Sequence, residues 1–161
     1  MQGLHLTADL THCRCDAAWL TDAPRLLARC TQAVQAAGLQ TVNQLAHTFP
    51  PTDHGPGGVT ATVLLAESHL CVHTWPEQAG VTVDVYVCNF SADHSAKAHA
   101  LMDALVALFG PQQAQRQALQ RGFSALPHAG AMESAESHCA PRTVQRHASV
   151  DHTMTATQGL V

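Results

Sequence analysis

Residues 81–88, Val-Thr-Val-Asp-Val-Tyr-Val-Cys, alternate without a break. In an extended chain Val81, Val83, Val85 and Val87 face one way, and Thr82, Asp84, Tyr86 and Cys88 face the other. A 3.6-residue period would scatter the four valines around a helix, so the segment suits only a strand with one buried and one open face. Such a strand needs neighbours that share its apolar face and elements that cover it. Residues 4–10 alternate in the same way, and 41–49, 59–66 and 69–74 also read as strands. The cover comes from two helical repeats. Ala23, Leu26, Leu27, Cys30, Ala33, Val34 and Ala37 recur at helical spacing between an Asp22 N-cap, with Pro24 in the first turn, and a terminating Gly38. Leu101, Met102, Leu105, Leu108 and Phe109 form the stripe of a second helix over 95–109, which Gly110-Pro111 ends. Residues 50–58 are dense in proline and glycine and form a loop. Residues 112–123 fit either helix or strand. The order strand, helix, several strands, helix predicts an α+β fold with the helices on one face of a mainly antiparallel sheet.

Charge narrows the partners. The formal net charge is −4, and Lys97 is the only lysine. No basic stripe is available for nucleic acid or an anionic membrane surface. No apolar run approaches the ~20 residues of a membrane span. The first residues lack a charged segment leading into an apolar one, so a cytoplasmic location is expected, with the six cysteines as reduced thiols. Cys13 and Cys15 are too close for a zinc knuckle of the usual spacing, and no metal is expected. After Phe123 aromatics cease and large apolar residues thin out. Residues 1–123 are read as the domain and 124–161 as a disordered tail.

The segment Ala66-Glu67-Ser68-His69-Leu70-Cys71-Val72-His73-Thr74-Trp75-Pro76-Glu77 carries the chemistry. Ser68 stands at a junction between two strands. His69, Cys71 and His73 alternate with Leu70 and Val72, so polar groups line one face, and Cys88 ends a neighbouring strand on its polar side. A serine, a histidine and a cysteine could converge near one sheet edge. His69 and His73 are about 13 Å apart on a strand at ~3.3 Å per residue, too far to share a metal ion. The flanks of Ser68 lack the glycines of a hydrolase nucleophile elbow. On the residues alone, a strand with ordinary buried histidines competes evenly with a catalytic one.

The block Glu-Ser-His-Leu-x-Val-His-Thr-Trp-Pro-Glu, followed by Val-Asp-Val-Tyr-Val-Cys, closely resembles the bacterial S-adenosylmethionine decarboxylase proenzymes. The similarity includes Gly3-Leu-His-Leu, Cys15-Asp16 and His47-Thr48-Phe49, and it runs to about Gly122. The resemblance implies a two-layer α/β sandwich whose homodimer forms active sites at its interface. It implies a covalent pyruvoyl cofactor made by self-cleavage. The Ser68 hydroxyl attacks the Glu67 carbonyl, the amide becomes an ester, and elimination and hydrolysis leave a pyruvoyl group on residues 68–161, with 1–67 as the other chain. By the same resemblance His73 assists processing, with Thr60 where the family has a serine. The cofactor ketone forms a Schiff base with the substrate amine and takes up electrons as carbon dioxide leaves. Cys88 matches the acid that returns a proton, Phe49 the aromatic that stacks on adenine, and Glu77 the acid that holds the ribose hydroxyls. The product would supply aminopropyl groups for spermidine.

Four departures bear on the substrate pocket. The loop 50–58 is several residues longer than the family's. Gln78-Ala79-Gly80-Val81-Thr82 replaces a stretch with two tyrosines. Ala61 and Asn89 stand where the family has glycine. The alternatives are therefore a pyruvoyl-dependent decarboxylase of ornithine or arginine, with Asp53 meeting the cationic end, and a non-catalytic relative that has lost processing.

Overall fold

The computed structural model describes residues 2–90 and 92–122. Six antiparallel strands form one sheet: β1 Gln2–Thr11, β2 Thr41–Thr48, β3 Val59–Leu65, β4 Ser68–Trp75, β5 Gly80–Cys88 and β6 Gln113–Gly122, in the spatial order β2-β3-β4-β5-β1-β6. Three helices accompany them: α1 Ala18–Thr21, α2 Ala23–Ala36 and α3 Ser95–Phe109.

The alternation read from the sequence is the alternation of burial. Leu4, Leu6, Ala8 and Leu10 of β1, Leu70 and Val72 of β4, and all four valines of β5 are buried in one core. Against them pack Ala23, Leu26, Cys30, Ala33 and Val34 of α2, and Ala98, Leu101, Met102, Leu105 and Phe109 of α3. The odd-numbered residues of β4, and Thr82, Asp84, Tyr86 and Cys88 of β5, remain half-buried or exposed on the other face.

The helix ends follow local chemistry. The Asp22 carboxylate accepts a hydrogen bond from the Arg25 backbone N–H at 3.0 Å, satisfying a donor that the helix start leaves free. Gly110 closes α3 in the left-handed conformation, at a φ of 53°. Helix α1 went unread because four residues carry too few turns to show a period. Residues 112–123 resolve as β6, which pairs with β1 over its whole length and is exposed throughout. An exposed edge strand needs no apolar alternation, which is why the sequence left the segment ambiguous. The expected disordered tail, 124–161, lies outside the described residues. Among the described residues no helix is long and apolar enough to cross a membrane.

Thr74 is the one polar residue buried in the core among those described. Its hydroxyl accepts from the Val59 N–H at 2.7 Å and donates to the Leu20 carbonyl at 2.7 Å, tying α1 and β3 to β4. Replacing Thr74 with valine keeps the shape and strands both partners. A loss of about 1–3 kcal/mol in urea unfolding is expected, measured in a Ser68→Ala background so that both proteins are single chains.

Candidate active site

The open face of the sheet carries the polar residues, and they fall into two groups at opposite ends of β4. The first group surrounds Ser68. The β3–β4 turn at Ala66-Glu67 delivers Ser68 opposite Val87 of β5. The Cys88 backbone N–H donates to the Glu67 carbonyl at 2.7 Å, so the carbonyl directly before Ser68 is held and polarised. Ser68 itself has a φ of 155°. That region is otherwise almost confined to glycine, and a residue held there is strained by about 1–3 kcal/mol. The Cys88 side chain ends β5 half-buried beside this junction. The expected convergence near a sheet edge is corrected here: β4 and β5 are interior strands, and the residues meet at their ends.

Around this junction the open face holds a cluster that the sequence did not single out. His5 of β1 lies 3.2 Å from the Asp84 carboxylate. Tyr86 sits between His5 and His69, with ring centroids 5.7 Å from each. The Arg121 guanidinium lies 5.0 Å from the Tyr86 ring centroid. Burial lowers the pKa of His69, helped by the charges of His5 and Arg121, while Asp84 acts in the opposite direction. The strand period could have indicated the cluster, because His5, Asp84, Tyr86 and His69 all fall on the polar parity. Only the β1–β5 and β4–β5 registers make them neighbours.

The second group lies at the other end of β4. Thr60 pairs with His73 across β3 and β4, and the Thr60 hydroxyl is 2.7 Å from Nδ1 of His73. Phe49, His73, Trp75 and Glu77 line an open cavity of about 540 Å³. The long loop forms another wall, where Thr52 and Gly55 exchange backbone hydrogen bonds across a tight turn. His54, not Asp53, lines the cavity. Five residues of strand separate Ser68 from His73, or about 16 Å at ~3.3 Å per residue. A single chain therefore unites Ser68, Glu67 and Cys88 and holds Thr60, His73, Phe49 and Glu77 apart from them.

Asn89 has a structural task. Its side chain accepts from the His94 N–H at 3.0 Å and donates to Asp93 and Ser95, shaping the turn into α3.

A sheet with one covered face, and a strained serine on a held carbonyl at the end of its interior strands, defines an α+β protein with a candidate reactive junction. Comparison with known proteins names the class. The family model described as S-adenosylmethionine decarboxylase matches residues 4–122. The S-adenosylmethionine decarboxylase proenzyme of Aquifex aeolicus is 38% identical over 121 residues, covering 75% of this chain and 82% of that protein. The proenzyme of Synechococcus sp. (strain WH7803) is 34% identical over 145 residues, covering 88% of this chain and all of that protein. The crystal structure of the adenosylmethionine decarboxylase from Aquifex aeolicus superposes with a TM-score of 0.66 at 33% identity, covering 83% of this chain and 97% of that one. The chain belongs to the S-adenosylmethionine decarboxylase family.

The cavity wall depends on two glycines. A Cβ at Gly57 would lie 1.8 Å from the Phe49 carbonyl oxygen, and one at Gly58 would lie 2.0 Å from that of Thr74. Backbone cannot yield cheaply there. Gly58→Ala is expected to cost about 1–3 kcal/mol, read as a lower thermal unfolding midpoint against the same single-chain background.

Proposed function

We propose that the chain is a pyruvoyl-dependent S-adenosylmethionine decarboxylase that cleaves itself between Glu67 and Ser68 and works as a homodimer. The observation that carries this reading is the scissile junction: a strained Ser68 next to a carbonyl already hydrogen-bonded to the Cys88 amide. Cleavage releases the strain. When the hydroxyl adds to the Glu67 carbon, the carbonyl oxygen gains negative charge, and a preplaced N–H stabilises the charged state more than the neutral one. The residues present thus suit formation of a pyruvoyl group from Ser68. Once formed, that group supplies an electrophilic carbonyl that takes up the electron pair left by departing carbon dioxide. In this reading the Cys88 thiol returns a proton to the substrate α-carbon.

The distance between the two groups of residues supports a shared site. Thr60 and His73 of a second copy would reach Ser68 of the first, with His73 removing the Cα proton as the ester eliminates. Phe49 and Glu77 would come with them, to stack on the adenine and hold the ribose hydroxyls. Leu45, Leu64, Trp75 and Leu119 are exposed on the same face as the polar clusters, and a second copy would cover them. In this reading the sheet and its helices are the two layers of the sandwich that the resemblance implies.

Intact mass after purification is expected to show two chains for the wild type and one 17.1 kDa chain without turnover for Ser68→Ala. His73→Ala is expected to block processing by itself. Co-expressing it with Ser68→Ala should restore cleavage of the His73→Ala chain, because the mixed dimer holds one complete site. Failure of that rescue, with mixed dimers demonstrated, would rule out the shared site. Carbon dioxide release is expected from S-adenosylmethionine, which places the enzyme in the supply of aminopropyl groups for spermidine. Release only from ornithine or arginine would keep the Ser68 chemistry and overturn the roles of Phe49 and Glu77.

A further inference from the structure

We propose that His69 is the base that takes the proton from the Ser68 hydroxyl in the first step of self-cleavage, the conversion of the Glu67–Ser68 amide into an ester. The inference rests on the self-processing reading above and assigns a residue to a step that His73 of the same chain cannot reach. In a regular strand, neighbouring side chains point to opposite faces. The φ of 155° at Ser68 breaks that alternation, and the hydroxyl lies 3.2 Å from Nδ1 of His69, the next residue. With the imidazole proton on Nε2, Nδ1 accepts from the hydroxyl. The other histidine of the strand has its own Nδ1 on the Thr60 hydroxyl and stands about 13 Å further along at ~3.3 Å per residue.

The surroundings keep His69 in its basic form. Tyr86 faces it directly across β5. The His5 ring stands edge-on with centroids 6.5 Å apart, and Asp84, the nearest carboxylate on that face, is engaged by His5. Arg121 of β6 adds positive charge, β3 presents Leu64 directly opposite, Cys71 and Cys88 stand on the same face, and Asp9, His47 and His73 lie further along the sheet. No anion pairs with an imidazolium here, and burial depresses the pKa of His69. At neutral pH the ring is free to accept a proton.

The step balances without a co-reactant. The Oγ–H proton passes to Nδ1, Oγ bonds to the Glu67 carbonyl carbon, and the bond from that carbon to the Ser68 nitrogen breaks. The nitrogen then takes the proton from the imidazolium and leaves as an amine. Amide becomes ester, and His69 ends neutral.

The test follows cleavage of the full chain after cell-free synthesis, by denaturing mass spectrometry, with and without hydroxylamine to cut esters. His69→Asn places an oxygen near the position of Nδ1 but has no basicity. It is expected to slow cleavage about 100-fold or more and to leave intact amide that hydroxylamine does not cut. Added imidazole is expected to accelerate cleavage of a His69→Ala chain. The wild-type rate should rise with pH through a value below the ordinary ~6.5 of histidine and then level, and His69→Asn should lack that limb. A folded His69→Asn chain, with a thermal midpoint matching Ser68→Ala, that cleaves at the wild-type rate overturns the assignment. So does accumulation of hydroxylamine-sensitive ester in that variant. A wild-type chain that stays whole overturns the self-processing reading, and the base falls with it.

Discussion

β4 and β5 pair antiparallel so that Ser68 lies opposite Val87 and Trp75 opposite Gly80. Every feature of the site rests on this register. It carries Leu70, Val72 and the four valines of β5 into the core together, which makes a slip by one residue prohibitive, because a slip would turn the whole apolar set to the open face. The same register sets the Cys88 N–H on the Glu67 carbonyl and brings Tyr86 beside His69. Core packing thus fixes the chemistry on the opposite face.

The junction at Ser68 is where strand regularity is given up. A φ of 155° in a non-glycine residue persists only where its surroundings over-determine it. Here the constraints are the β4 ladder on one side and the held carbonyl of Glu67 on the other. The departure has two consequences. It stores strain across the bond to be cut, and it turns a hydroxyl toward its own neighbour in sequence. A serine in regular extended geometry would point away from His69 and have no base beside it.

The open face explains why one chain is half a machine in the proposed reading. Strand rise separates the Ser68 end of β4 from the Phe49, His73 and Glu77 end, and no rotamer change spans that gap. Two copies set face to face would supply each end to the other. The proposed division of labour then has a simple basis: the first proton is handled by a residue adjacent in sequence, and the later one by a residue delivered from the second copy. The long loop stands at the cavity end, fixed by close backbone approach at Gly57 and Gly58.

Much of this was legible in the residues. The valine alternation of β5, the Asp22 cap and the stripe ending at Phe109 are local signals, and they predict elements whose bounds match the structure within a residue or two. The Glu67–Ser68 junction and the residues around it were also legible, through a family resemblance that the comparisons bear out. Helix α1 was too short to show a period, and β6 lies on an exposed edge where nothing enforces one. The sequence by itself determined which side chains could share the polar face. Which of them meet was decided by tertiary structure, because period-two patterning sets a residue's face but not its neighbours across the sheet. Strand order and register are set by long-range packing, and they place His5, Tyr86 and Cys88 around Ser68 while leaving His73 at the far end of its own strand.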